Sequence, residues 1–318
     1  MRGFYRFSTD GEVIAESENV ITAEGKLVIA RFLASLVDSY AGAIAVGVSD
    51  SPAASTDNRL TYEIARTPIV IRNVSGPDQE DIFQVSFKGS LPSVMEGYIS
   101  ESAIISQNFN TSSGIYGDRL LSKFLSGDGW AVVSSSGMAV TYERLGYGGT
   151  SESIRVGGEG MRIYSTATGS TIEIENTNIF GDLSGYSAGD KFGIVYSSVN
   201  PSSSVVLEIR LYSDASNYFT ASTPLEGGTS SNFAYHQVEI EKGDFSKVGE
   251  PIWGDIIKMG LIVSTPSQAN VIIDAVSLFD SDYINPNYAM ISKSVISSPV
   301  LKTAGKSMDV EYFLEFKL

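Results

Sequence analysis

The chain of 318 residues has no cysteine and a single histidine, His236. The first absence excludes disulfides, zinc knuckles, thiol nucleophiles and iron–sulfur clusters. The second rules out a multi-histidine metal site and forces any Ser-His-Asp triad through His236. Basic residues are scarce: 22 Lys and Arg stand against 37 Asp and Glu, a formal charge of −15. That balance argues against nucleic acid as a partner, because affinity for the phosphate backbone rests on clustered cations. It argues equally against a polybasic membrane anchor. No run approaches 18 apolar residues, so no transmembrane helix and no membrane insertion are expected. The opening Met1 to Arg6 lacks an apolar signal core, which predicts a soluble chain without an export signal there.

What is abundant points to strands. There are 47 Ser, 31 Gly, 16 Tyr and 15 Phe, a composition of short strands joined by tight turns. One helix stands out. Thr22 is an N-cap candidate, Glu24 suits the first turn, and Ile29, Phe32, Leu33, Leu36, Val37 and Tyr40 follow helical spacing up to a stop at Gly42. Strands are predicted at Ile44 to Val48, Ile64 to Val74, Ile82 to Lys88 and Tyr98 to Ser106. At the C-terminus Val310, Tyr312, Leu314 and Phe316 alternate with Asp309, Glu311 and Glu315, while Phe313 implies partial cover on the second face. From Leu125 the rhythm changes to strands every 8–12 residues, as in a sandwich.

Candidate chemistry is sparse. His236 lies in a strand-like run, no Gly-x-Ser-x-Gly elbow is present, and the glycine-rich pieces lack the Lys-Ser/Thr that a phosphate loop needs. Glu63 and Arg66, three apart near a strand start and with Asp57 upstream, read as a structural ion pair that orients the preceding loop. Trp130 and Trp253 could be sugar-stacking platforms, but they read better as core or edge residues of the sandwich. Tyr147, Tyr186, Tyr218 and Tyr235 sit among Gly, Ser and Asn and are the candidates for a carbohydrate-binding surface.

Two stretches resemble known families. Ser17-Glu18-Asn19-Val20-Ile21-Thr22 before the helix, Ile44-Ala45-Val46-Gly47, then Leu60-Thr61-Tyr62-Glu63-Ile64-Ala65-Arg66 resemble a domain of tailed-bacteriophage structural proteins. Such domains occur in tail fibres, baseplates and head decoration. The family closes with a segment like Ser297-Ser298-Pro299-Val300-Leu301-Lys302 and an alternating strand. Between the two parts, Gly129-Trp130-Ala131-Val132, Trp253-Gly254-Asp255-Ile256 and Val271 to Leu278 resemble a jelly-roll carbohydrate-binding module. That resemblance implies a structural calcium held by Asp274, although the second acidic position of the pattern is Ala275 here, and the other reading of Asp274 is a strand-end carboxylate that satisfies backbone amides.

The expected fold is mainly β. Residues 1–124 and 285–318 form a discontinuous α+β virion-attachment domain with one long helix, and residues 126–283 form an inserted jelly-roll β-sandwich. The expected function is that of a non-enzymatic virion protein, assembled in the host cytoplasm as a homo-oligomer beside other capsid or tail proteins. It would display its insert for weak, multivalent attachment to host cell-surface polysaccharide. No catalytic residue and no cofactor beyond the calcium is expected. Two alternatives stay open: a purely architectural virion protein and a polysaccharide-degrading enzyme.

Overall fold

Period-two alternation runs through most of the chain, and the strands it predicts are largely there. The computed structural model describes residues 2–36, 40–77, 81–106, 119–144, 153–199, 205–226, 233–279 and 289–317. The chain divides into two compact units, Met1–Tyr116 with Ile284–Leu318, and Gly117–Tyr283.

In the first unit two antiparallel five-stranded sheets enclose one core. One sheet runs β2 (Glu12–Glu18), β1 (Arg2–Thr9), β22 (Met308–Lys317), β7 (Ile82–Leu91), β6 (Ile71–Ser75). The other runs β3 (Val20–Ile21), β21 (Met290–Lys302), β8 (Gly97–Ile105), β4 (Ala43–Gly47), β5 (Glu63–Pro68). Tyr5, Phe7, Val310, Tyr312 and Leu314 meet Ile44, Val46, Ile99, Ile104 and Ile291 in between. Each such aliphatic side chain, fully buried, contributes ~1.5–3 kcal/mol. On the outer face of β22, Phe313 stacks on Phe4 at 4.7 Å with the Arg6 guanidinium 4.7 Å from its ring, which supplies the cover its position implies.

The helix starts as predicted and stops early. Helix α1 spans Ala23–Leu33, and the Thr22 hydroxyl accepts from the Gly25 N–H at 2.9 Å as its N-cap. Its buried residues are Gly25 and Val28, whereas Phe32, Leu33 and Leu36 are exposed. The spacing thus marks a stripe that faces away from the core. The helix seats on β21 through its N-terminal turn, where a Cβ at Gly25 would fall inside the van der Waals radius of the Ile291 carbonyl oxygen. Alanine is worth about 1 kcal/mol over glycine in a helix, but a clash with backbone cannot relax by rotamer change. Gly25→Ala is expected to lower stability by roughly 2 kcal/mol net, measured as a shift in the urea unfolding midpoint.

The Leu60–Arg66 motif packs a loop onto the second sheet. Arg66 forms a two-pronged ion pair with Glu63, its Nη2 at 2.7 Å from Oε2, and both side chains are buried. Burial pushes the Glu63 carboxyl up and Arg66 opposes that shift. Beside them Lys293 reaches Thr61 Oγ1 at 2.8 Å, Asp57 at 3.3 Å and the fully buried Glu101 at 3.4 Å. Glu101 also accepts the N–H groups of Thr61 and Tyr62 at 3.0 and 2.7 Å.

The second unit is an antiparallel sandwich of two sheets with jelly-roll winding, in which hairpins such as β15–β16 alternate with crossings from one sheet to the other. One six-stranded sheet runs β10 (Trp130–Ser136), β13 (Ser170–Asn176), β19 (Lys258–Thr265), β15 (Val205–Tyr212), β16 (Tyr218–Leu225), β18 (Ser246–Val248). The other sheet, six-stranded with a strand off this path that pairs with β20, runs β11 (Met138–Arg144), β12 (Glu159–Ser165), β20 (Asn270–Phe279), β14 (Lys191–Ser198), β17 (Ala234–Glu241). Strand β9 (Arg119–Ser122), which the sequence reading assigns to the outer domain, belongs here because it hydrogen-bonds to β20 from Val276 to Leu278. Phe124 then inserts into this unit's core, so the unit begins before residue 126.

Candidate functional site

On β15 the residues Val205, Leu207, Ile209 and Leu211 fill the core, which turns Glu208, Arg210 and Tyr212 to the opposite face of their sheet. Register brings neighbours onto that face: Glu175 and Arg210 both lie opposite Gly260, Glu173 and Glu208 both lie opposite Ile262, and Tyr212 sits between Lys258 and Tyr218. Gly260 leaves room for the Tyr212 ring, since a Cβ there would come within 3.0 Å of it. The ring lies buried with the Lys258 ammonium 4.3 Å from its centre and its hydroxyl donating to Glu173 at 3.3 Å. Burial pushes the Tyr212 phenol up, Arg210 opposes, and Glu173 and Glu175 add to the rise. Tyr218 is half-buried, 5.0 Å from Tyr212 and tilted to it, with the Arg210 guanidinium 5.0 Å from its own ring.

Every charge on this face has an opposite partner. Arg210 bonds Glu208 at 2.6 Å and approaches Glu173 at 3.5 Å, and Lys258 bonds Glu175 at 2.6 Å. Glu208 also accepts from Thr220 Oγ1 at 2.9 Å. Those two residues form one wall of a cavity of about 550 Å³ on the sandwich flank, whose other walls include Ser222, Thr223, Glu239 and Asp244. Hydroxyls and carboxylates line it, and no Lys or Arg does. A pocket of this size bearing acceptors and hydroxyls suits a hydroxyl-rich ligand.

The four tyrosine candidates do not gather at one place. Tyr218 lies on this face. Tyr186 packs its ring against the core, and its carbonyl accepts from the buried Lys242, which also donates to Leu183 O at 2.9 Å. Tyr235 is on β17, with Arg155 stacked 4.1 Å over its ring and its hydroxyl donating to Asp274 at 3.4 Å. Tyr147 lies outside the described residues. Trp130 stacks on Phe124 at 4.8 Å and donates its indole N–H to Ser122 Oγ at 2.9 Å. Trp253 stacks on Phe219 at 3.8 Å with the Lys242 ammonium 4.8 Å from its ring. Both tryptophans therefore spend their faces on packing. His236 stacks on Tyr196 at 5.4 Å, and burial lowers its pKa.

Tyr212, Arg210 and the glutamates escape a search for loop aromatics because they sit in regular strands. The signal available was the outward set of β15, Glu208-x-Arg210-x-Tyr212, whose Arg210 complements the outward glutamates Glu173-x-Glu175 of β13.

Asp274, to which the resemblance assigns calcium, has different neighbours. It is fully buried at a bulge in β20, and Oδ2 accepts the backbone N–H groups of Arg155 and Val156 at 2.7 and 2.9 Å. Oδ1 has no hydrogen-bond partner. Calcium requires six to eight oxygen ligands. Among the described residues no three Asp, Glu, His or Cys side chains converge to hold a metal. The donors around Asp274 are N–H groups and a guanidinium, which do not fit a cation. Its carboxylate instead clamps the segment 153–156 across the sheet.

No protein-family model and no curated protein matches the chain. Among solved structures it is similar to the family 11 carbohydrate-binding module of Clostridium thermocellum, in complex with a β-1,3-1,4-mixed-linked tetrasaccharide. Identity is 16%, covering 52% of this chain and 97% of that one, with a TM-score of 0.39. It is also similar to a carbohydrate-binding module from Cellvibrio mixtus lichenase 5A in complex with cellotriose, at 10% identity, 51% and 98% coverage and TM-score 0.29. A third is the enzymatically active domain of bacteriophage CBA120 tailspike protein 4, at 12% identity and TM-score 0.32. There the match covers 53% of this chain and 21% of that one.

Proposed function

We propose that the second unit is a non-catalytic glycan-binding module, carried by a bacteriophage virion structural protein whose first unit mounts it on the particle. One observation carries the glycan reading: the ion-paired ladder Glu173–Arg210–Glu208 ends at Glu208 in the wall of a cavity lined largely with hydroxyls and carboxylates, while Tyr218 lies on the other side of Arg210 along the same face. Carboxylates already held by Arg210 and Lys258 are placed to accept hydrogen bonds from sugar hydroxyls, and Tyr218 offers ring area to a pyranose face. A cavity walled by Glu208, Glu239 and Asp244 without a lining cation favours neutral over anionic polysaccharide. The mounting role is supported by the family-like motifs of the first unit. Thr22, Ile44, Val46, Glu63 and Arg66 all serve its fold, as cap, core and ion pair.

The test is affinity electrophoresis of the whole protein through gels carrying neutral polysaccharides, mixed-linked β-glucan, galactan and xylan among them, and an alginate control. Retardation is expected in at least one neutral gel and not in alginate. Glu208→Gln is expected to weaken it about tenfold, the worth of one hydrogen bond to a charged group at ~1.5 kcal/mol. Tyr218→Ala should weaken it as well. If host surface polysaccharide and every gel leave the protein unretarded, the purely architectural reading takes its place. Cryo-electron microscopy of the particle tests the mount, which fails if the chain is absent from it.

A further inference from the structure

We infer that the face formed by helix α1 and the edge strand β6 is where a second copy of this chain docks, pairing β6 with β6 about a two-fold axis. The face belongs wholly to the first unit and does not depend on the glycan reading. Its centre is an apolar groove of about 550 Å³, lined by Ile29, Phe32, Leu33, Val74, Phe316 and their neighbours. Around it Leu33 and Leu36 are 78% and 74% exposed, and Val70 and Val74 are 66% and 68% exposed. Phe32 and Phe316, which also line the groove, are 44% and 38% exposed. Soluble monomers seldom leave so large a patch bare. The groove has little to orient a small molecule. Arg72, the one charged residue among the described residues that line it, donates to the carbonyls of Ala41 and Ile69 at 2.9 and 3.4 Å.

The two edges of the same sheet explain why the partner is a strand and why it is this one. Edge β2 carries Glu12, Glu16 and Glu18, the kind of charge that keeps an edge from pairing. Edge β6, Ile71-Arg72-Asn73-Val74-Ser75, carries no acid, no Lys and no Pro, is exposed along its whole length, and pairs with no described strand on its outer side. Guarding one edge and leaving the other open is what an intended pairing requires. A β6–β6 pair centred on Asn73 sets Arg72 opposite Val74, so like charges do not face each other. A two-fold axis makes that pair antiparallel and self-complementary, and it joins five strands of each copy into one sheet. Among the described residues no carboxylate lines the groove.

Sedimentation velocity of the whole protein decides it. The wild type is expected to sediment as two chains at about 100 μM, where a micromolar dissociation constant leaves it dimeric. Val74→Lys and Leu33→Lys are both expected to sediment as single chains there, with unchanged thermal melting because both sites are on the surface. Val13→Lys, on the guarded edge, is expected to stay dimeric. As a check without substitutions, hydrogen exchange at 71–75 should slow as the wild type is concentrated. A monomeric wild type overturns the inference. So does a mass of three or more chains, a dimer that survives both β6-face variants, or exchange at 71–75 that is indifferent to concentration.

Discussion

Lys293→Met is expected to lower the unfolding free energy by about 3–5 kcal/mol at neutral pH, the usual cost of leaving one member of a buried ion pair alone. Lys293 and Glu101 are 2% and 0% exposed, so water cannot replace the missing ammonium. Glu101 would keep only the Thr61 and Tyr62 N–H groups. Burial pushes its carboxyl up, and Lys293 is the first of the groups holding it down. Without the lysine the carboxyl rises further. A raised carboxyl takes up its proton on folding, so stability is present at low pH and is lost as pH rises through the folded value. The deficit of Lys293→Met should therefore shrink on acidification. Lys293→Met with Glu101→Gln should recover much of the loss, since the uncompensated charge is gone. Urea unfolding of the three proteins at pH 5 and pH 7 measures all of this. A single variant as stable as wild type at pH 7 would show that the pair adds nothing.

Asp274 gives the second large effect. Burial pushes its carboxyl from 3.8 up to about 7, against the pull of the Arg155 and Val156 N–H groups. The folded protein thus binds a proton between those values that the unfolded chain has released. Stability from this group is full below pH ~4 and falls as pH rises towards 7, at about 1.4 kcal/mol per unit. Asp274→Asn keeps an oxygen for the two N–H groups and removes the titration. Relative to wild type, the variant is expected to gain about 4 kcal/mol between pH 4 and pH 8. Parallel stability curves for the two proteins across that range would contradict it. The same substitution at a calcium ligand would instead abolish a calcium-induced rise in melting temperature, so one titration distinguishes the two roles.

Much of the fold was legible because β-sandwiches write themselves locally. Val205, Leu207, Ile209 and Leu211 announce their buried face by alternation alone, and so do Val310, Tyr312 and Leu314. The start of α1 was legible because a cap is a local device, Thr22 against Gly25. Its end was not. Ile29, Phe32, Leu33 and Leu36 keep helical spacing, and periodicity identifies a stripe without saying what covers it. The partners that give charged residues their meaning are remote. Lys293 finds Thr61, 232 residues away, and Asp274 finds Arg155 across 119. The candidate face was hidden for a related reason: Glu173, Arg210, Tyr218 and Lys258 lie on four strands whose order follows from topology and not from spacing.

Strand β22 has a consequence in time. It lies between β1 and β7 and carries Val310, Tyr312 and Leu314 into the core of the first unit, yet it follows every other strand of that unit in the chain. During synthesis the sandwich 117–283 leaves the ribosome with all its own strands before β21 and β22 emerge. Domains fold as they emerge. The inner unit can therefore be finished while the outer one still has a gap in the middle of its sheet. Closure there waits on β22, by which time the inserted unit has its full length in which to fold.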